Sequence, residues 1–348
     1  MGQRSSGAVG LLALACVLAS GGATAQDTLS VASYGGVYQE ALRKAFYDPT
    51  EKILGLKIKE HTLTSIVDIR KQVQANAVEW DIAELYSGQC QQAAHEGLIE
   101  PLDYKVITNT KGIPHELVKP HWVGFTAFST VLAWNKNVYK TPPQNWADFW
   151  DTKKFPGSRA LSGYGLQGNA EIALLADGVT PDRIYPLDMD RAIKKLEAIK
   201  PSVVTWWTSG AQATQLAKSQ QADMLSIWVA RIEDAVKQGA PYEFTYDQAL
   251  MDIECLVVPK GARHKELAMK AINSFLDPSL QADILKYVSY GPVNQQAYET
   301  GKVSKEMIER SNTSPENYKK QVMHNKEHWT EHHHKFVERW DQFFQKTK

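Results

Sequence analysis

A chain of 348 residues, 43% hydrophobic and 22% charged, is long enough for two lobes of ordinary domain size. Its 39 basic and 39 acidic side chains cancel, which excludes the cationic surface of a nucleic-acid binder and the charge excess of an acidic tail. Three cysteines over this length exclude a disulfide-built scaffold.

Residues 1–25, MGQRSSGAVGLLALACVLASGGATA, carry Arg4 as their only charge, then an apolar run, then Ala23-Thr24-Ala25. This is the layout of a secretory signal peptide, with cleavage expected after Ala25. Cys16 opens a rival reading, lipid attachment, but Ala13 stands where such signals usually carry leucine. No later stretch is apolar over a membrane-spanning length. After cleavage Cys90 and Cys255 remain. They read as two separate buried thiols, although an oxidising compartment permits a disulfide.

Strand and helix signals then alternate. Residues 28–33 read as a strand. Residues 37–47 read as a helix, with Val37, Ala41, Ala45 and Phe46 on one side and Asp48–Pro49 as the stop. Residues 56–61 alternate as a half-exposed strand, 66–76 have helical spacing, and 80–88 form a buried strand opening into a loop at Ser87–Gly88. Such an order implies a mostly parallel sheet under helices. Ligands of such sheets sit beyond the carboxyl ends of the strands, where Tyr34-Gly35-Gly36 and Tyr86-Ser87-Gly88 both lie. An apolar strand follows at 128–139. The Pro-, Asn- and aromatic-rich run TPPQNWADFWDTKKFPGS leads into a second lobe with strands at 159–165 and 222–231 and helices from about Asn169 and over 189–201. A last apolar strand at 252–261 carries the chain back.

The candidate chemistry is that of holding a solute. Ser33-Tyr34-Gly35-Gly36-Val37-Tyr38 lacks both nucleotide-loop patterns, so its glycines suit a tight turn or close contact with a solute flanked by Tyr34 and Tyr38. Ser209 is a helix N-cap, with Gln212 in the first turn. Trp206 and Trp207 precede it and point to opposite faces of a strand, Trp207 being the one assigned to the cleft. Glu171, Asp252 and Glu254 suit a cation held beside aromatic rings, or plain salt bridges. Arg231, just after Trp228, suits a carboxylate or phosphate clamp, or a pair with Glu233 or Asp234. His324, His328 and His332 form a helical stripe, followed by His333 and His334. They read as a solvated face, with two-histidine metal binding as the alternative. No convincing nucleophile, zinc-protease or C-x-x-C pattern occurs.

The stretches SYGGVYQEALRKAFYDP, VEWDIAELYSG, VLAWNKNVY, EIALLADGV, WWTSGAQ, GAP at 239–241, LVVPKGA and YGPVNQQAY, in this order and spacing, make the mature chain resemble the polyamine-type periplasmic solute-binding proteins of bacterial ABC transporters. The resemblance implies an α/β, two-lobed type II periplasmic-binding fold. Each lobe has a mostly parallel sheet flanked by helices, and two crossover hinge strands, near Val131–Trp134 and Asp252–Val257, join them. The implied division is 26–131 for the first part of lobe 1, 132–251 for lobe 2, 252–292 for the return strand and the rest of lobe 1, and 293–348 for helices on lobe 2. The implied ligand residues are Tyr34, Gly35, Gly36, Tyr38, Ser87, Glu171, Trp207, Gln212, Trp228, Arg231, Asp252, Glu254 and Tyr290. Relatives often carry Trp-Asn-Gly-Arg where Trp228-Val229-Ala230-Arg231 stands here, and aromatics where Cys255-Leu256 stand. The implied protein is a periplasmic monomer without cofactor, resident metal, nucleic-acid partner or enzymatic activity. It hands a small solute to an inner-membrane permease by hinge closure. A polyamine-like cation is the first expectation. A zwitterionic or anionic solute (an amino-acid derivative, opine or organophosphonate) or a metal ion is the alternative. A secreted hydrolase on a similar scaffold is the other class.

Overall fold

The computed structural model describes residues 1–2, 27–165 and 168–345. The signal-peptide reading and its cleavage site fall on residues outside these. No helix among the described residues is long and apolar enough to cross a membrane.

The first part of the chain gives β1 Thr28–Ser33, α1 Gly36–Leu42, α2 Asp48–Leu54, β2 Lys57–Thr62, α3 Ile66–Gln74, β3 Ile82–Tyr86, α4 Ser87–His95 and the long β4 Val123–Asn135. The second lobe follows with α5 Trp146–Trp150, β5 Arg159–Ser162, α6 Asn169–Ala176, α7 Met189–Ile199, β6 Val203–Trp207, α8 Gly210–Lys218, β7 Met224–Trp228 and α9 Val229–Lys237. The chain returns along β8 Tyr242–Val257 to α10 Lys265–Phe275, α11 Pro278–Asp283 and β9 Gly291–Pro292. It ends with α12 Lys305–Arg310, α13 Pro315–Tyr318, β10 Val322–Met323 and α14 Lys326–Gln345.

One sheet runs through both lobes in the order β2-β1-β3-β8-β4-β7-β5-β6. The outer strands of each lobe pair in parallel, and the central β3–β8, β8–β4 and β4–β7 pairs are antiparallel. The α/β two-lobed expectation therefore holds, with a mixed centre. β4 and β8 are the crossing strands. Residues 123–130 of β4 pair with 250–256 of β8, and 132–135 pair with 242–245. Between the two blocks the register slips and residues 246–249 bulge out, with Gln248 at a positive φ of 57°. A bulge unpairs the ladder and bends the strand. The larger break in the return crossing therefore lies upstream of Asp252–Val257, which pair with the first lobe through a ladder that carries its own smaller irregularity between Gly124 and Thr126.

Two local expectations fail for identifiable reasons. Asp48–Pro49 does not end the first helix. The backbone passes through a π-helical turn at Arg43–Tyr47, and Pro49 falls in the first turn of α2, where a missing N–H leaves no bond unmade. The stop is Gly55, in the left-handed conformation at φ +67°. Ser87–Gly88 is not a loop either, because α4 begins at Ser87 directly from the strand.

Cys90 and Cys255 are not separate thiols; they form a disulfide. Leu85 stands opposite Cys255 in the β3–β8 register, and α4 folds back so that Cys90 comes within 6.6 Å of Cys255, Cα to Cα. Residues 293–313 bond mainly to the first lobe, with Arg310 reaching across to Glu233 of α9. Val293 N–H donates to Gln281, and the Asn312 amide donates to Ala127 O and Ser129 Oγ. From Asn325 onward the chain packs on lobe 2: Asn325 N–H donates to Tyr185 OH, Trp329 Nε1–H donates to Glu171, and Trp340, Phe343 and Phe344 surround Trp206. The histidine stripe is not a solvated face. The His324 side chain is 8% exposed, 3.9 Å from Glu171, and His328 Nε2 is buried without a partner.

Candidate functional site

Strand alternation builds one half of the site. Glu84 and Tyr86 share a face of β3. Tyr86 stands opposite Glu254 on β8, and Glu254 stands opposite Thr126 on β4. One row on, Asp252 stands opposite Phe128. One face of three central strands thus carries three buried carboxylates, Glu84, Asp252 and Glu254. The disulfide occupies the other face, because Cys255 is the odd neighbour.

Each acid has a different set of partners. Glu84 accepts from Ser33 Oγ at 2.7 Å and from the Tyr38 hydroxyl, which also shares a 2.8 Å hydrogen bond with Thr126. Asp252 accepts from Ser87 Oγ at 2.6 Å and from Ile253 N–H at 2.7 Å. Glu254 keeps one oxygen, Oε2, buried and unpartnered. Burial pushes the Glu84 carboxyl up to about 7, and its two hydroxyl donors pull it part of the way back. Burial raises Glu254 well above the usual range, and the Glu84 and Asp252 charges add to the effect. Burial raises Asp252 too, with His324 and Ser87 opposing. Three acids so placed cannot all ionise cheaply without a cation.

Tyrosines close this half. Tyr34 accepts a hydrogen bond from Tyr86 N–H at 3.0 Å, fastening the two strand ends together. Tyr290 lies 4.8 Å from Tyr38 and 6.0 Å from Phe128, ring to ring. Burial, followed by neighbouring carboxylate charge, pushes the Tyr34 and Tyr38 hydroxyls far up, so both stay protonated donors.

The second lobe supplies the opposing wall. Phe128 meets Trp228 at 6.4 Å across the boundary. Trp228 stacks on Tyr164 at 5.7 Å and stands edge-on to Trp207 at 5.1 Å. Trp207 is fully buried, its indole N–H donating to Ser226 O. It packs behind the half-buried Trp228 and the exposed Tyr164 instead of opening on the cleft as expected, and faces away from Trp206, as alternation requires. Arg231, in the first turn of α9, reaches across the gap. A Cβ on Gly36 would lie 2.9 Å from its Nη1, and one on Gly210 would lie 2.5 Å from its Nε. Gly36 also sits at φ +61°, so it is glycine for two reasons. Gly35, at φ +67°, makes the turn itself. Neither carboxylate suggested as a partner takes Arg231, because Glu233 pairs with Arg310 and Asp234 accepts from Gln238. Among the described residues, Arg231 has no carboxylate partner.

Two expected ligand residues are committed elsewhere. Glu171 accepts from Gly168 N–H at 2.9 Å, Tyr185 OH at 2.7 Å and Trp329 Nε1–H at 2.6 Å. It holds α6 to α14 and has little capacity left for a solute. Gln212 is exposed, and its side chain turns back to Thr208 N–H at 2.7 Å as a helix-start bond. The remaining expected residues come together. Glu84, Thr126, Phe128 and Tyr164 were not anticipated, and His324 was read as part of the C-terminal stripe, not as a neighbour of Asp252. Only Glu84 gave a signal, a lone carboxylate inside the apolar strand IAELY.

The bacterial extracellular solute-binding protein family model matches residues 55–309. The chain is 29% identical over 321 residues to the gamma-aminobutyric acid-binding protein of Pseudomonas aeruginosa, covering 90% of both chains. Its structure matches an ABC transporter substrate-binding protein from Bradyrhizobium japonicum at 37% identity and TM-score 0.88, over 91% of this chain and 99% of that one. It also matches MotA of A. tumefaciens B6, solved with glucopine, at 33% identity and TM-score 0.85, over 91% and 99%.

Proposed function

The chain belongs to the bacterial extracellular solute-binding protein family and is the substrate-binding component of an ABC transporter, and we propose that it carries a small zwitterion with a separated ammonium and carboxylate. The observation that carries this is a pair of opposite, unmatched charges on two lobes. Arg231 lacks a carboxylate partner among the described residues, and Glu254 Oε2 lacks a donor on the far side of the Tyr290–Phe128–Trp228 rings. A carboxylate on Arg231 and an ammonium among Glu254, Glu84 and Asp252 would satisfy both at once. The apolar spacer would lie along the rings. Relatives named for gamma-aminobutyric acid and solved with glucopine bind molecules that contain both groups, in line with this reading.

A solute bridging both lobes favours the closed arrangement by its contacts to the two sides, with β4 and the 246–249 bulge of β8 taking up the motion. The lobe limits at 131, 251 and 292, export by residues 1–25, a monomeric state and a periplasmic site of action form part of the same proposal. A linear diamine is the second reading, favoured by the three carboxylates. Isothermal titration with 4-aminobutyrate and with putrescine separates the two. The expected result is binding of 4-aminobutyrate, weakened about 100-fold by Arg231→Met and by a similar factor by Glu254→Gln. Putrescine binding that ignores Arg231→Met would establish the diamine instead.

A further inference from the structure

Helix α9 carries Arg231, Glu233 and Lys237 toward lobe 1. Arg231 belongs to the solute site. Glu233, two positions on, is 7% exposed and does not face the solute. Its carboxylate accepts from Ser289 Oγ at 2.5 Å and from Ser289 N–H at 3.2 Å. Arg310 donates to the same carboxylate through Nη2 at 3.0 Å and Nε at 3.3 Å. Both partners are anchored in lobe 1. Ser289 precedes Tyr290, and Gly291–Pro292 pairs with Thr126 and Ala127 of β4. Just after Arg310, Asn312 donates to Ala127 O and accepts from Gly291 N–H. The Arg310 carbonyl accepts from Tyr246 OH at 2.7 Å, at the bulge between the two ladders.

Beside this cluster the same helix meets lobe 1 more loosely, through a 3.4 Å hydrogen bond from Lys237 Nζ to Tyr287 O. A groove of about 240 Å³ lies between α1 and α9, lined by Glu40, Lys44, Asp234 and Lys237 with Glu233 at its side. The Glu233 carboxylate, with four donor contacts from Ser289 and Arg310, is the strongest polar hold between α9 and lobe 1. We propose that Glu233 is a positioning residue, a latch made in the closed arrangement and lost when α9 swings away. It sets how long a solute stays bound without touching it. The proposal rests on the hinge-closure reading above. Opening would strand a desolvated carboxylate and a guanidinium until water reaches both, and a barrier of that kind slows release more than capture.

The test uses the full mature chain with spin labels at K59C and K194C, exposed positions on opposite lobes, the native cysteines remaining bonded. Electron–electron distance distributions without solute are compared for the labelled parent, E233A and S289A. Both variants are expected to lose closed population, E233A more. With 4-aminobutyrate as probe, stopped flow is expected to show dissociation about ten-fold faster in E233A and association unchanged. E233Q, which keeps an acceptor for Ser289, is expected to recover part of the difference. Unchanged distance distributions in both E233A and S289A overturn the latch. S289A deletes one hydroxyl, so poor folding of E233A does not protect the proposal. Failure of 4-aminobutyrate to bind the parent counts against the zwitterion reading, while the solute-free distances still decide the latch.

Discussion

Glu171 and Glu254 are both buried carboxylates near the boundary of the two lobes, yet they do opposite things. Glu171 is fully enclosed and receives a backbone N–H, a phenol and an indole. Glu254 is as deeply placed, but it faces two other acids and leaves Oε2 unsatisfied. Burial of a charge does not mark a ligand site. A buried carboxylate without internal satisfaction, set among other acids and aromatic rings, leaves a place for a partner from outside the fold.

Substitutions can break this contrast. The largest effect is expected at Glu171. Glu171→Ala should cost about 3 kcal/mol of stability, because it strands the Gly168 N–H, the Tyr185 hydroxyl and the Trp329 indole. Chemical denaturation reads this, and solute affinity per folded molecule should hold. Glu254→Gln should do the reverse. Stability should stay level or rise by about 1 kcal/mol as a buried, donor-less carboxyl gives way to a neutral amide, while affinity falls. A destabilised Glu254→Gln protein would dissolve the distinction.

The pH dependence sharpens it. The folded Glu84 carboxyl is raised to about 7, above the unfolded value of about 4.3. The folded protein therefore holds that proton more tightly than the unfolded chain. The stabilisation is fully present below the unfolded value and is lost as pH rises through about 7. Thermal unfolding of the solute-free protein should fall in midpoint between pH 5 and 8, and Glu84→Gln should flatten that slope. Added 4-aminobutyrate should raise the midpoint more at pH 8 than at pH 5, since ionised carboxylates attract its ammonium. The smallest effect is expected at Gln212. Gln212→Ala removes only a helix-start bond and should cost about 1 kcal/mol or less, with calorimetric affinity unchanged. A large affinity loss there would return Gln212 to the site.

The sequence by itself determined the alternating elements, the glycine turn after β1, the opposite facing of Trp206 and Trp207, and most residues of the candidate site. These follow from periodicity and from backbone demands that a few neighbouring residues settle. Only the tertiary structure decided which polar groups were already spoken for. Glu171 and Gln212 read like ligand residues, but partners at 329, 185 and 208 take them. Cys90 and Cys255 read like separate thiols until the β3–β8 register brought them together. Glu84 became a site residue because β8 returned beside β3 after a long excursion through the second lobe. Hydrogen-bond satisfaction is a property of positions in space, and strand register set over such separations is not written in any local run of residues.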